Sequence, residues 1–246
     1  MKCKILKNPV ELGIEAAAYS ADLINKAIKE KGKARIVLST GASQFDTIKA
    51  LVKENVDWSK VEMFHLDEYV GLSEEHPASF RKYLKERFVS QINLKKAYFV
   101  NGEGNVEQNI NELTKELRKE PVDVALIGIG ENAHIAFNDP PADFDTKEAY
   151  IVVNLDDACK NQQVGEGWFP TIDDVPKQAI SMTVFQIMQS KVIVSCVPYK
   201  VKANAIKALL DNDLTNKVPA TMLKTHSDFI LFLDEDSASL MDKSKI

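Results

Sequence analysis

Near the start of the chain, the spacing of apolar residues changes from a helical pattern to that of a strand. Between residues 9 and 31 they recur at intervals of three and four, at Ile14, Ala17, Ala21, Ile24 and Ile28. This spacing predicts an amphipathic helix over residues 9–31. The run ARIVL at residues 34–38 is apolar apart from one arginine, which is typical of a strand buried on both faces.

Strands and helices continue to alternate along the rest of the chain. Apolar runs lie at residues 62–66, 97–100, 123–129, 149–153, 178–184, 191–197 and 229–233. Helical patterns lie between them at residues 43–53, 78–89, 106–119 and 200–210. This order predicts an α/β fold with a mostly parallel, Rossmann-like sheet and helices on both faces.

The organisation of the chain indicates a single domain over residues 1–246, because no repeat or linker interrupts it. Two stretches, residues 138–147 and 156–174, are expected to be long and irregular. Loops of that length in a compact domain usually carry function.

Composition narrows the class of protein. With 45% hydrophobic and 27% charged residues, the chain is typical of a globular protein. Its 31 Lys and Arg against 36 Asp and Glu give a formal net charge of −5, which disfavours nucleic acid or an anionic membrane as a partner. No apolar stretch fits a signal peptide or a transmembrane helix, and the three cysteines form no disulfide pattern, so we expect a cytoplasmic protein.

Ligands of open parallel sheets bind beyond the carboxyl ends of the strands, and four such ends carry unusual residues. The first is LSTGAS, where Gly41 permits a tight turn. Hydroxyl groups of Ser39, Thr40 and Ser43 lie there beside the free N–H groups expected at the start of the next helix, which suits an anion such as phosphate. The alternative is an ordinary helix cap.

The second strand end is HLDEYVGL, in which Asp67 and Glu68 directly follow an apolar run. At least one of these carboxylates is expected at the mouth of the sheet, where partial burial can adjust its basicity for removing a proton from carbon. Alternatively, both carboxylates only cap the following turn.

The third strand end is GIGENAHIAFNDPP. Gly128 and Gly130 allow close backbone approach, and a histidine held by a carboxylate, as His134 is expected to be by Asp139, can move protons near neutral pH. The alternative is a histidine that only packs in the core. The segment is not a dinucleotide fingerprint, because Ala133 replaces its third glycine.

The fourth strand end is VPYKVKANAIKALL, in which Lys200 precedes a helix and can supply a local positive charge. Val201, Ala205 and Leu209 are predicted to form the apolar face of that helix, and a solvated surface lysine is the alternative. The four histidines show no metal-ligand spacing, so we predict no metal site.

Together, LSTGAS, LDEYVGLSEEHPASF, GIGENAHIAFNDP and PYK, in this order and spacing, resemble the glucosamine-6-phosphate deaminases (isomerases). These enzymes share a superfamily with 6-phosphogluconolactonases. The resemblance runs from about residue 36 to residue 236, and HIAFN favours the deaminase branch.

The resemblance implies a role for each matching residue. Asp67 matches the carboxylate that moves a proton between C2 and C1, and His134 matches the histidine that opens the pyranose ring. Asp139 lies where the family has a supporting glutamate. The remaining matches concern phosphate binding. Gly41, Ala42 and Ser43 match the family's phosphate loop, and Lys200 matches the cationic partner of that loop. The family needs no metal or organic cofactor.

Two positions depart from the family pattern and suggest a variant subgroup. Asn132 replaces the usual aspartate two residues before the histidine; asparagine can orient His134 but cannot carry a charge. Gln163 aligns near the family's substrate-contacting arginine, so the phosphate would depend more on Lys200 and on backbone amides.

The expected function is the conversion of an amino-sugar 6-phosphate, of glucosamine or galactosamine, to a ketose 6-phosphate and ammonia. Hydrolysis of a sugar-phosphate lactone and non-catalytic binding of a sugar phosphate are the alternatives. The expected partner is this small molecule, and the family resemblance allows either a monomer or a homo-oligomer.

Overall fold

The computed structural model describes residues 1–242, which form an α/β fold around two sheets. The strands are β1 (Lys2–Leu6), β2 (Ala34–Leu38), β3 (Val61–His65), β4 (Asp67–Tyr69), β5 (Lys96–Ala97), β6 (Val124–Ile127), β7 (Tyr150–Asn154), β8 (Gln178–Met182), β9 (Val192–Val197) and β10 (Phe229–Asp234). The helices are α1 (Pro9–Lys31), α2 (Phe45–Leu51), α3 (Phe80–Arg87), α4 (Val106–Leu117), α5 (Asp157–Gly165), α6 (Val184–Ile187) and α7 (Ala203–Asp211).

The main sheet has seven parallel strands in the order β1-β10-β9-β6-β2-β3-β5. The strands between its two edges are apolar at successive positions because both faces are covered. In β2, Ile36 and Leu38 pack with α1 and α2, whereas Val37 belongs to the core on the opposite face. The predicted mostly parallel sheet with helices on both faces is confirmed.

The second sheet is antiparallel and has the order β4-β8-β7. The runs predicted at residues 149–153 and 178–184 form two of its strands, so they do not belong to the parallel sheet. Strand β4 begins directly after Leu66, one residue beyond the end of β3. The small sheet therefore starts at the carboxyl edge of the main sheet, where Asp67 pairs with Ser181.

Helix α1 helps to fix the position of the loop that follows β2. Its bounds agree with the prediction: Asn8 accepts a hydrogen bond from Glu11 N–H at the start, and Gly32 ends it at φ 76°. A Cβ at Gly13 would lie 2.6 Å from the carbonyl carbon of Asp46, so α1 and α2 are in backbone contact. No helix among residues 1–242 is both long and apolar enough to cross a membrane.

Two further predicted elements differ in the structure, and one edge strand lies where none was predicted. The stretch 156–174 is not irregular throughout, since it contains α5, whose Asp156 cap accepts from Cys159 N–H at 2.7 Å. The strand predicted at 97–100 is reduced to two paired residues, Lys96 and Ala97. Strand β1 was not predicted, because its lysines interrupt the apolar pattern on an edge of the sheet.

Candidate active site

A cavity of about 780 Å³ lies at the carboxyl ends of β2, β3, β6 and β9. Eight of the ten predicted site residues line it: Ser39, Gly41, Ala42, Ser43, Asp67, Asn132, His134 and Gln163. Asp139 lies behind His134, and Lys200 is not part of the lining. The cavity also contains side chains that the sequence analysis did not single out, among them Phe80, Glu131, Glu166, Trp168 and Lys202.

The loop after β2 presents its backbone to this cavity. Gly41 has φ 97°, a conformation that side-chain-bearing residues rarely adopt, and a single 3-10 turn follows at Ala42–Gln44. Gln44 fixes the turn, because its side-chain amide donates to Cys196 C=O at 3.1 Å and to Ser43 Oγ at 3.0 Å. Ser39 is 6% exposed, and within the described part of the chain its Oγ has no hydrogen-bond partner.

Strand alternation separates the two adjacent carboxylates of β4. Asp67 lines the cavity, whereas Glu68 faces the start of α3 and is fully buried. There Glu68 accepts from Ser79 Oγ at 2.8 Å and from Arg81 N–H at 3.0 Å, and it pairs with the Arg81 guanidinium at 3.2 Å. Glu68 therefore caps a helix, and Asp67 is the carboxylate at the mouth of the sheet.

The environment of Asp67 makes this carboxylate unusually basic. Burial, followed by the nearby Glu68 charge, raises the pKa of Asp67 to about 8. A carboxylate with a pKa in this range is suited to accept and return a proton near neutral pH. Burial has the opposite effect on the nearby His65, whose pKa falls to about 3 so that its ring is neutral.

His134 is oriented by both residues expected to support it. Its Nδ1 lies 2.6 Å from Asn132 Oδ1 and 3.1 Å from Asp139 Oδ1. Asn132 also joins the other two groups, since its amide donates to Asp139 Oδ1 at 2.9 Å and its Oδ1 accepts from His134 N–H at 3.1 Å. Although burial opposes it, hydrogen bonding from His134 and Asn132 holds the pKa of Asp139 below its usual value.

This arrangement decides which nitrogen of His134 carries the proton in the neutral ring. Both neighbours of Nδ1 are acceptor oxygens, so Nδ1 holds the hydrogen and Nε2 keeps its lone pair. Nε2 has no hydrogen-bond partner within residues 1–242. The ring packs on Gly130, where a Cβ would lie only 2.1–2.5 Å from three of its atoms. The glycine is therefore required by the position of the imidazole.

The fourth strand end differs from the prediction at its lysine. Lys200 is exposed, whereas Lys202 is 6% exposed and lines the cavity. The two lysines begin and end one 3-10 turn, in which residues two positions apart point in different directions. Burial lowers the pKa of Lys202, and the charges of Glu166 and Glu131 oppose this shift. Val201 is also not part of the predicted apolar face, since it is 58% exposed.

Gln163 lies on α5, in the segment expected to be a loop, and faces the cavity. Its Oε1 accepts a hydrogen bond of 2.8 Å from the hydroxyl of Tyr69, which is fully buried two residues after Asp67. Because the oxygen is occupied, the amide N–H groups of Gln163 are the part that can donate into the cavity.

Candidate metal ligands are not grouped in the described structure: residues 1–242 contain no set of three His, Cys, Asp or Glu side chains that could hold a metal ion. The polar groups around the cavity are amides, hydroxyls, carboxylates, one imidazole, one indole and one ammonium group. Such a set can bind an anion and move protons.

The fold and this site place the chain in a family of sugar-phosphate enzymes. The sequence model described as "Glucosamine-6-phosphate isomerases/6-phosphogluconolactonase" matches residues 7–231, and the chain belongs to this family. A glucosamine-6-phosphate deaminase of Thermoanaerobacter sp. is 35% identical over 235 residues, which are 92% of this chain and 91% of that protein. Another, from Lactobacillus delbrueckii subsp. bulgaricus, is 34% identical over 98% of this chain and 100% of its own.

Solved structures agree with this placement. A monomeric glucosamine-6-phosphate deaminase superposes with a TM-score of 0.88 at 32% identity, covering 98% of this chain and 100% of its own. A 6-phosphogluconolactonase from Shewanella baltica gives a TM-score of 0.77 at 18% identity, covering 95% of this chain and 97% of its own. At that level of identity the second likeness shows the fold alone.

Proposed function

We propose that this protein converts an amino-sugar 6-phosphate, glucosamine 6-phosphate in the first instance, into a ketose 6-phosphate and ammonia. The observation that carries the proposal is the presence in one cavity of three groups: the basic carboxylate of Asp67, the free Nε2 of His134 and the backbone loop around Gly41. This reaction requires a base, a second group that carries protons, and a binding site for the phosphate anion.

Phosphate is held at the loop after β2 and by one cation. The N–H groups of Ala42 and Ser43 and the hydroxyls of Ser39 and Ser43 are the proposed donors. Lys202, rather than Lys200, supplies the positive charge, because it is the buried lysine of the lining. This local seat captures the phosphorylated sugar although the chain has a net charge of −5.

Ring opening is assigned to His134. Nε2 takes the proton of the anomeric hydroxyl and delivers a proton to the ring oxygen as the bond between C1 and that oxygen breaks, which leaves the open-chain aldehyde. Asn132 and Asp139 accept from Nδ1–H in both states of the ring and keep it oriented. Asn132 thus keeps the orienting function that the family's aspartate would have, without adding a charge.

Isomerisation and deamination follow at C2. Asp67 takes the proton from C2, and the ammonium group of the substrate passes a proton to O1, which gives a neutral enolamine. The proton then returns from Asp67 to C1 as the C2–N bond becomes an iminium. Water adds to the iminium carbon, ammonia leaves, and the ketone at C2 remains. The raised pKa of Asp67 supports this role, because a base that must return the same proton is best matched to the working pH.

A substrate panel tests the proposal. The protein is incubated with glucosamine 6-phosphate, galactosamine 6-phosphate, glucosamine and 6-phosphogluconolactone, and ammonia, ketose phosphate and lactone hydrolysis are followed together. We expect equal amounts of ammonia and ketose phosphate from an amino-sugar phosphate, and much less from glucosamine.

Two results would contradict the proposal. Rapid lactone hydrolysis without ammonia from any amino sugar would assign the site to the lactonase branch, with Nε2 of His134 activating water. Tight binding of a hexosamine 6-phosphate without any product would make the protein a binder, and turnover gained in Asn132→Asp would trace that loss to Asn132.

A further inference from the structure

The carbonyl oxygen of Gly41 is held by two donors. Gln44 N–H donates to it at 3.0 Å within the 3-10 turn, and the hydroxyl of Tyr83 donates to it at 3.1 Å from α3. Tyr83 does not line the cavity, whereas Gly41, Ala42 and Ser43 do. The tyrosine therefore contacts the loop without being part of the cavity lining.

The orientation of this carbonyl sets the direction of an N–H group. In a planar trans peptide, C=O and N–H point in opposite directions, so holding Gly41 C=O toward Tyr83 turns Ala42 N–H away from it. If the peptide turned over, a carbonyl oxygen would face the place proposed for phosphate.

The Tyr83 side chain is well fixed for this task. Its ring stacks on Phe45 with a centroid distance of 5.6 Å and an angle of 17°, and the Arg87 guanidinium lies 4.0 Å from the Phe45 ring centre. Burial raises the pKa of the Tyr83 hydroxyl, which therefore stays protonated and remains a donor. Ser39, beside the loop, separately indicates a ligand there, since its buried Oγ has no partner among the described residues.

We propose that Tyr83 is a positioning residue that keeps the Gly41–Ala42 peptide turned so that its N–H, and not its C=O, faces the phosphate of the substrate. This inference rests on the proposed function, because it takes the loop as the phosphate seat. Tyr83 acts through the peptide and does not touch the substrate.

The test compares two tyrosine-to-phenylalanine variants. Tyr83→Phe keeps the ring on Phe45 and removes only the hydroxyl. Tyr98→Phe is the matched control: its ring stacks on Phe64 at 4.5 Å, and its hydroxyl donates to Glu116 at 3.2 Å, outside the cavity lining. For each protein, KM and kcat for glucosamine 6-phosphate, the dissociation constant for inorganic phosphate by calorimetry and the melting temperature are measured.

For Tyr83→Phe we expect KM and the phosphate dissociation constant to rise together by about three- to tenfold, the range that loss of one net hydrogen bond gives, with kcat within about twofold. Tyr98→Phe leaves these constants unchanged. Unchanged phosphate affinity in Tyr83→Phe, or an equal rise in both variants, would overturn the inference. The phosphate measurement does not depend on turnover, so it separates this inference from the proposed function. If the wild type releases no ammonia but Tyr83→Phe still binds phosphate more weakly than the wild type does, only the proposed function is contradicted.

Discussion

Nδ1 of His134 lies 2.6 Å from Oδ1 of Asn132, and this contact fixes the tautomer of the imidazole without a charge on the asparagine. The same amide donates to Asp139 Oδ1 at 2.9 Å. Asn132 therefore satisfies two neighbours that have opposite requirements, one for an acceptor and one for a donor. Aspartate at this position could satisfy only the first when ionised.

Substitution of Asn132 should therefore separate its two hydrogen-bonding roles. Asn132→Asp keeps an acceptor for His134 Nδ1 but loses the amide that donates to Asp139 Oδ1. We expect kcat of Asn132→Asp to stay within about tenfold of wild type, because an acceptor still orients the imidazole. Asn132→Leu, which can neither accept nor donate, is the comparison and should lower kcat by about a hundredfold or more. Equal kcat values for wild type and Asn132→Leu in steady-state kinetics would contradict this account.

Gly130 should be essential for activity because of where the His134 ring lies. A methyl group at residue 130 would approach the ring atoms to 2.1 Å, so the imidazole must leave its position. We expect Gly130→Ala to lower kcat by about a hundredfold or more, as for loss of a positioned general acid–base group. The circular dichroism spectrum should remain that of the wild type, because the clash is confined to one side chain. Retention of full kcat would show that the ring position is not required.

The two lysines of PYKVK should have different effects. Lys202→Met removes the buried cation of the cavity, and KM for the sugar phosphate should rise by about ten- to a hundredfold, as expected for a hydrogen bond to a charged group. Lys200→Met removes an exposed lysine next to it and serves as the control, with KM within about twofold of wild type. Steady-state kinetics with glucosamine 6-phosphate measure both KM values. A larger rise in KM for Lys200→Met than for Lys202→Met would make Lys200 the phosphate partner.

Asp67 should reduce the stability of the fold at alkaline pH. Its folded pKa of about 8 lies above the value of roughly 3.9 for an unfolded aspartate, so between these pH values the folded state holds a proton that the unfolded state has lost. The free energy of unfolding therefore falls as pH rises through this window, by up to about 1.4 kcal/mol per pH unit.

Asp67→Asn removes this titration and should be more stable than wild type at pH 9 by a few kcal/mol, with a much smaller difference at pH 5. Urea denaturation at both pH values measures the difference. A stability difference that is the same at pH 5 and pH 9 would mean that Asp67 titrates normally.

The main sheet could be predicted from sequence because its signals are local. Strands such as ARIVL and DVALIGI are apolar on both faces, as in a covered parallel sheet, and they alternate with helical patterns. The α5 helix was missed for the opposite reason: within Asp157–Gly165 only Cys159 and Gln163 are buried, so no apolar period marks the helix. The short β4 strand was missed because its three residues follow β3 almost without a break.

The site residues divide in the same way. Asp67 and His134 follow strands at the sheet edge, so their convergence could be anticipated from topology. The choice of Lys202 over Lys200 depends on the direction of one 3-10 turn, which the spacing of residues does not reveal. The role of Tyr83 depends on a contact between α3 and the loop after β2 that spans 42 positions of the sequence. Such contacts follow from packing of the whole fold and have no local signature.

The most direct test of the central claim, that Asp67 is the base of an amino-sugar phosphate deaminase, is a comparison of wild type and Asp67→Asn with glucosamine 6-phosphate. Ammonia release is measured at pH 8, and sugar-phosphate affinity is measured by calorimetry on the same preparations. We predict that ammonia release by Asp67→Asn is slower than that of wild type by a factor of about 10²–10⁴ or more. Its affinity for the sugar phosphate stays within about threefold of the wild-type value. Ammonia release by Asp67→Asn at the wild-type rate would contradict the claim.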